Sequence, residues 1–367
     1  MKAKLLKIYR FILLYGVERT TVKTASRVMK YQMKYLLPKS FSLQAKRTVS
    51  LIGCGQFGFA TISYFVLKLK GKVFLDCYDP NTERSKFLGK FYGYNSQEDL
   101  EKVFTNPECK LIYIASNHAT HTAYAIKALE NKKDVYIEKP ISVTQEQYAK
   151  LSKAMEGSSN RVFTGYNRPF SRSIRKITSM IQNNKQPISL NCFVSAHTIS
   201  DDHWYRNPEE GTRICGNVAH WIDLMIHIMQ KRGEIPTEFE VSILHADKND
   251  TNDNLTLSIR TPMNDISSIF ITSRTEPMEG VNETINLQCG DVIAKIDDFK
   301  KLTIWQGDYK YDRKFFRKDV GHRRAVSQPF LEEEYLRKWK EIETSSWLIL
   351  EITEMVNKGI YNKVLVK

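Results

Sequence analysis

The chain has 367 residues, 42% hydrophobic and 26% charged, the make-up of a globular protein with room for about two domains. No apolar run approaches the length of a bilayer span, and the lysine-interrupted stretch 2–15 lacks the small-residue cleavage site of a secretory leader. Net charge is +14, but residues 1–47 hold 12 Lys and Arg against one acid, Glu18, leaving only +3 for the rest and arguing against nucleic acid as a partner of the body.

Residues 1–47 read as a basic extension of two helices. In the first, Leu5, Leu6, Ile8, Tyr9, Ile12 and Leu13 interleave with Lys2, Lys4, Lys7 and Arg10; the second, Thr20 to Leu37, ends at Pro38. Three readings stand for residues 1–37: an anchor lying on an anionic membrane surface, a docking arm for a partner or sister subunit, or an extension packed on the protein's own body.

Residues 48–165 alternate strand and helix, which predicts a parallel sheet. The apolar run Val49–Ile52 leads into Gly53-Cys54-Gly55-Gln56-Phe57-Gly58. In this pattern the first glycine makes the turn, the second lets a pyrophosphate approach the backbone, and the third lets the next helix pack closely. A helix over 59–68 and a strand over 72–78 follow, ending at Asp79, whose carboxylate suits the two ribose hydroxyls of NAD. Further strands are expected at 111–116, 135–137 and 161–166, with helices at 83–92 and 122–131. Strand ends bind ligands in such sheets, which puts Asn117, His121, Glu138 and Lys139 along one rim.

From residue 167 the pattern changes. Strands are expected at 187–196, 238–246, 254–260, 267–274, 283–288, 291–297, 302–306 and 309–316, with one strong helix near 217–231. Lys248–Asn254 reads as a loop, 330–341 and 344–358 as helices, and 363–366 as a short tail. The fold expected is α/β, a Rossmann dinucleotide-binding domain followed by an α+β domain with a large, mostly antiparallel open sheet. The six cysteines form no Cys-x-x-Cys pair, so a zinc ribbon or redox dithiol is not expected, and reduced thiols fit a cytoplasmic protein.

The motifs Gly53 to Gly58, Asp79-Pro80-Asn81 with Arg84, Ile114-Ala115-Ser116-Asn117-His118 with His121, Glu138-Lys139-Pro140, Tyr166-Asn167-Arg168, and Gly216 to Asp223 with His220 resemble those of the glucose–fructose oxidoreductase / inositol dehydrogenase / rhizopine-catabolism (Gfo/Idh/MocA) family. The likeness spans about residues 48–367. Tyr166 to Ser171, Ile296 to Phe299 and Lys318 to His322 are similar to one branch, the C-terminal half of bi-domain oxidoreductases of surface-polysaccharide pathways. Those carry an alcohol-dehydrogenase-like half in front, where this chain has its basic arm.

The resemblance implies an NAD-dependent oxidoreductase, with NADP not excluded, acting on a hydroxyl or carbonyl carbon of a sugar or nucleotide-sugar. It implies a homo-oligomer built through the open sheet, cytoplasmic or peripheral at the inner membrane face. Carried over by motif, the cofactor residues are Gly53, Gly55, Gln56, Phe57, Gly58, Asp79, Ser116, Asn117, His121, Glu138, Lys139 and Arg168. Lys139 and His220 are the proton-handling pair, and Arg206, Arg213 and Asn217 the substrate candidates. The family's usual aspartate four residues before the histidine is Gly216 here. That substitution leaves open a second reading, a weakened family member serving as a cofactor-binding scaffold or regulator. His220, Asp223 and His227 share a helix face but lack a third convincing ligand group, so no metal is expected.

Overall fold

A computed structural model describes residues 2–38, 45–247, 253–277 and 280–367. The chain divides into two compact units, residues 1–165 with 322–337, and residues 166–321 with 338–367. The loop expected at Lys248–Asn254 lies mostly outside the described residues.

The first unit begins with helices α1 (Lys2–Tyr15) and α2 (Val17–Val28), divided at Gly16, and a 3-10 turn at Tyr31–Leu36. The single helix expected over 20–37 is therefore broken. It stops where Met29 takes the left-handed conformation and Lys30 an extended one. Val22 and Ala25 are fully buried in the unit's main apolar core, so α2 is part of the body.

Next come β1 (Val49–Ile52), a π-helical turn at Gly58–Ser63 continued by α3 (Tyr64–Lys70), β2 (Phe74–Tyr78), α4 (Thr82–Tyr92), β3 (Asn95–Ser96), α5 (Leu100–Thr105), β4 (Leu111–Ile114), α6 (His118–Glu130), β5 (Asp134–Ile137), α7 (Gln145–Glu156) and β6 (Val162–Thr164). The strands pair in parallel in the order β3-β2-β1-β4-β5-β6. The order reverses between β1 and β4, the kind of switch point at whose carboxyl edge such sheets bind ligands. Leu51, Ile112, Tyr113, Val135 and Tyr136 are essentially inaccessible, as a sheet covered on both faces requires. Aromatic pairs at 4.8 Å, Phe59–Phe91, Phe74–Tyr94 and Tyr113–Tyr136, fill the layers around it.

The chain returns to this unit at α10 (His322–Ala325). The Tyr113 hydroxyl donates to the Val326 carbonyl at 2.6 Å, and Gln328 Nε2 to the Thr164 carbonyl at 2.7 Å. Residues 330–341, expected as a helix, hold instead a 3-10 turn at Glu333–Tyr335 and extended residues at Leu336 and Lys338.

The second unit contains α8 (Arg172–Met180), β7 (Ile188–Ser195), a π-helical turn at Ile214–Val218 leading into α9 (Ala219–Arg232), β8 (Glu238–His245), β9 (Leu255–Arg260), β10 (Ile266–Thr272), β11 (Asn282–Cys289), β12 (Val292–Asp297), β13 (Lys301–Gln306), β14 (Tyr309–Lys314), α11 (Trp339–Asn357) and β15 (Asn362–Val366). Among the described residues its sheet runs β14-β13-β12-β11-β7-β10-β9-β8-β15, with β7–β10 the parallel pair. The expected tail is thus an edge strand. Burial alternates along β7, β10, β11 and β12, as in a sheet covered on one face. On the other face Phe193, Ile266, Ile293 and Trp305 are exposed, and Phe193 stacks on Phe270 at 5.2 Å.

Candidate functional site

Three glycines after β1 have three different surroundings. A side chain at Gly53, whose φ is 96°, would strike the Ala115 carbonyl after β4; one at Gly58 would strike the Gly53 carbonyl. Both are held by close backbone packing. At Gly55 a Cβ would meet nothing within 4 Å. The protein's own packing leaves that position open, so its bare backbone fits a ligand that approaches closely. The helical turn beginning at Gln56 and Phe57 follows at once, with Phe59 N–H donating to the Gly55 carbonyl at 2.9 Å. Such a helix start is suited to phosphate.

Asp79 closes the other side of this loop. Its carboxylate accepts from Cys54 N–H at 2.8 Å and from Asn81 N–H at 2.9 Å, and the residue is 7% exposed. Asn81 caps α4 by accepting from the backbones of Glu83 and Arg84. Asp79 therefore fastens the glycine turn to the end of β2, and a carboxylate retains acceptor capacity beyond two such bonds.

The ends of β4 and β5 meet through His121, a buried residue of α6. Its Nδ1 lies 2.8 Å from the Pro140 carbonyl and its Nε2 3.2 Å from the Ser116 carbonyl. In either neutral tautomer one ring N–H donates to one of these two carbonyls. Asn117 sits at the N-cap of α6, and its carbonyl and side-chain oxygens accept from the Thr120 hydroxyl, itself 2.8 Å from Ser116 Oγ.

Glu138 follows β5 directly. Tyr136 Oη donates to its Oε1 at 2.9 Å, and Lys139 N–H to its Oε2 at 3.3 Å. Its carboxyl packs against the Gly165 backbone so closely that a Cβ there would collide with it. Burial pushes the Glu138 pKa up to about 7, against the opposing pull of Lys139 and these hydrogen bonds. Lys139 is next in the chain, half-buried, joined to Pro140 by a cis peptide bond. Gly53, Gly55, Gln56, Phe57, Gly58, Asp79, Ser116, Asn117, His121, Glu138 and Lys139 thus all lie in the carboxyl-edge turns after β1, β2, β4 and β5 or in the first turns of the helices that follow them. Two residues here were not among the site candidates: His322, which the sequence marks only as the end of the Lys318–His322 motif and whose ring lies 5.9 Å from that of Phe57, and Gly165, which carries no local mark.

In the second unit the expected residues have definite structural partners. Arg168 makes a bidentate pair with Glu283, Nε to Oε2 at 2.8 Å and Nη2 to Oε1 at 3.0 Å, while Trp221 Nε1 donates to Oε2 at 2.8 Å. The guanidinium also lies 4.4 Å from the Trp221 ring. Arg206 and Arg213 share Asp253, each at 2.7 Å on a different oxygen, and also donate to the Ile199 and His197 carbonyls. Asp223 accepts from Ser345, and His227 Nδ1 is 2.9 Å from Glu341, the contacts of packing residues.

His220 lies edge-on to Tyr166 at 6.0 Å. One turn earlier, a Cβ at Gly216 would come within 2.8 Å of Tyr205 Cε2. The phenol ring occupies the space of a side chain at that position. The neighbouring Asn217 Oδ1 is buried with no hydrogen-bond partner among the described residues.

Residues 47–166 match the model of an oxidoreductase family described as having an NAD-binding Rossmann fold (Gfo/Idh/MocA). An inositol 2-dehydrogenase of Burkholderia cenocepacia is 26% identical over 184 residues, 49% of this chain and 51% of the relative. The chain thus spans about half the length of the curated relatives it matches. A crystal structure of GenD2 from gentamicin A biosynthesis in complex with NAD is 15% identical with a TM-score of 0.68, covering 89% of this chain and 98% of that one. A levoglucosan dehydrogenase in complex with NADH and levoglucosan is 14% identical with a TM-score of 0.69, covering 86% and 96%. These two establish likeness of fold. Together with the glycine turn, Asp79 and the Glu138-Lys139-Pro140 corner, the match shows that residues 47–166 are a Rossmann domain of the Gfo/Idh/MocA oxidoreductase type, with an NAD-binding fold.

Proposed function

We propose that the protein is an NAD(H)-dependent oxidoreductase acting on a hydroxyl or carbonyl carbon of a sugar, cyclitol or nucleotide-sugar, in the manner of the dehydrogenases it resembles. The observation that carries this reading is Gly55, bare and uncrowded between two glycines held by backbone contact, on the edge that also bears Lys139. The residues fit a dinucleotide: the turn at Gly55, Gln56 and Phe57 would take the pyrophosphate, and Asp79 the adenosine ribose. When bound, the nicotinamide supplies the hydride acceptor or donor. Lys139 holds or moves the proton at the reacting substrate oxygen. Glu138, which exchanges a proton near neutrality, sets the charge beside it. His121 keeps the Ser116 and Pro140 turns in place.

In the second unit, His220 remains the second proton-handling candidate, on chemistry alone. Asn217 offers a buried acceptor for a substrate hydroxyl. Arg168, Arg206 and Arg213 act by shaping that unit, because their guanidinium groups are engaged with Glu283 and Asp253. The exposed face of the open sheet, with Phe193, Ile266, Ile293 and Trp305, is suited to a homo-oligomer. The likeness to polysaccharide-pathway oxidoreductases supports a nucleotide-sugar within the substrate class.

A second reading rests on Gly216. With Tyr205 in the space of an acidic side chain, the protein is a cofactor-binding member with little turnover. Calorimetric titration with NADH and NADPH, then thermal-shift screening of sugars, cyclitols and nucleotide-sugars in the presence of NAD, tests both readings. Binding of NADH with turnover lost in Lys139→Met supports the enzyme; NADH binding without turnover on any substrate that shifts stability supports the second reading. No heat with either nucleotide defeats both.

A further inference from the structure

We propose that the N-terminal helices form a surface that docks on an anionic lipid bilayer, lying in the headgroup plane. This goes beyond the catalytic reading and does not depend on it. Nine of the large apolar side chains exposed on the molecule fall within residues 6–36: Leu6, Ile8, Tyr9, Leu13, Val17, Val28, Met29, Tyr35 and Leu36. In α1 three of them, Leu6, Tyr9 and Leu13, share one face. Leu14 is buried and Phe11 packs on Tyr15 at 4.5 Å, with Lys23 over Phe11 and Arg19 over Tyr15 from α2. Leu6, Tyr9 and Leu13, at spacings of three and four, lie on the opposite side and are 42–58% exposed. α1 thus carries one apolar face toward α2 and another toward solvent.

Charge identifies the occupant. The arm holds 12 cations and one anion, against a nearly neutral remainder. That one anion, Glu18, is paired at 2.7 Å with Lys68 of α3, so the arm presents no uncompensated negative charge. Arg27 and Lys30 are exposed beside Val28 and Met29. Apolar side chains bordered by cations match the acyl boundary and anionic headgroups of a membrane surface. A second copy of so basic an arm would be repelled. Among the described residues no helix is long and apolar enough to cross a membrane, so the attachment is in-plane. Since α2 is rooted through Val22 and Ala25 in the nucleotide-binding unit, docking would hold that unit at the bilayer.

The test is co-sedimentation of the full chain with vesicles of phosphatidylcholine alone and with 30% phosphatidylglycerol (about that fraction suffices to give a strongly negative surface). The expected result is at least about tenfold stronger partition onto the anionic vesicles, weakened by salt. Leu6→Glu/Tyr9→Glu/Leu13→Glu should abolish it. Arg27→Gln/Lys30→Gln, which leaves the apolar face intact, should reduce it severalfold. Circular dichroism and NADH binding of each variant report that the body is intact. Equal partition onto both vesicle types, or undiminished binding by the triple variant, overturns the proposal. So does a self-associated species in sedimentation velocity that the triple variant abolishes while neither form binds vesicles.

Discussion

Glu138→Gln isolates the energetic cost of the buried carboxyl beside Lys139. Burial raises its pKa from 4.5 to about 7, so between those values the folded protein keeps a proton that the unfolded chain has released. The stability this group contributes is complete below the unfolded value and is lost as pH rises through the folded one. The ionised form then costs about 3 kcal/mol relative to the neutral form, of which about 2.5 kcal/mol emerges between pH 5 and pH 8. Glutamine retains a neutral, hydrogen-bonding side chain of the same shape against Gly165 and Tyr136. All five tryptophans lie in the second unit, so their fluorescence does not report on this site. Amide hydrogen exchange of peptides covering β4 and β5 does. Relative to Glu138→Gln, the wild type should lose about 2.5 kcal/mol of protection free energy from pH 5 to pH 8. Parallel pH dependence in the two proteins, or a wild type that strengthens relative to the variant as pH rises, would refute the reasoning.

The glycine turn should separate into two behaviours. Gly55→Val should leave the apo protein within about 0.5 kcal/mol of wild type while weakening NADH binding at least about 100-fold by calorimetry. Gly58→Ala should itself cost about 1–3 kcal/mol in denaturant unfolding, because its methyl enters the Gly53 carbonyl. Arg168→Met leaves Glu283 buried without its counter-charge and should lower the second unit's stability by about 3–5 kcal/mol, read by tryptophan fluorescence. Gly216→Ala should be destabilising with Tyr205 present and milder in a Tyr205→Ala background, with a coupling of about 0.5–3 kcal/mol from the double-mutant cycle.

The parts of the site legible in the sequence are those whose reasons are local. Val49–Ile52, the glycines and Asp79 lie within one strand–helix–strand unit, where spacing alone carries the geometry. The buried run Val135–Ile137 likewise marks Glu138 and Lys139 as a strand end. What could not be read depends on partners distant along the chain. Arg168 meets Glu283 across 115 residues, and Arg206 and Arg213 meet Asp253 across 47 and 40; a lone arginine carries no mark of whether a carboxylate awaits it. The ring over Gly216 comes from Tyr205, in a stretch without regular periodicity. Amphipathicity foretold a helix at α2, but its burial by Val22 and Ala25 was one of three outcomes the pattern allowed.

The late return of the chain to the first unit affects how the protein is made. Val326 and Gln328 supply acceptor and donor to Tyr113 and Thr164, yet they leave the ribosome more than 150 residues after β6. At elongation rates of about 5–20 residues per second, the nucleotide-binding half waits roughly 8–30 seconds with those two groups unmatched. Its last stage of folding is therefore post-poned until most of the other half has been synthesised, and a fragment ending at Gly165 would never reach it.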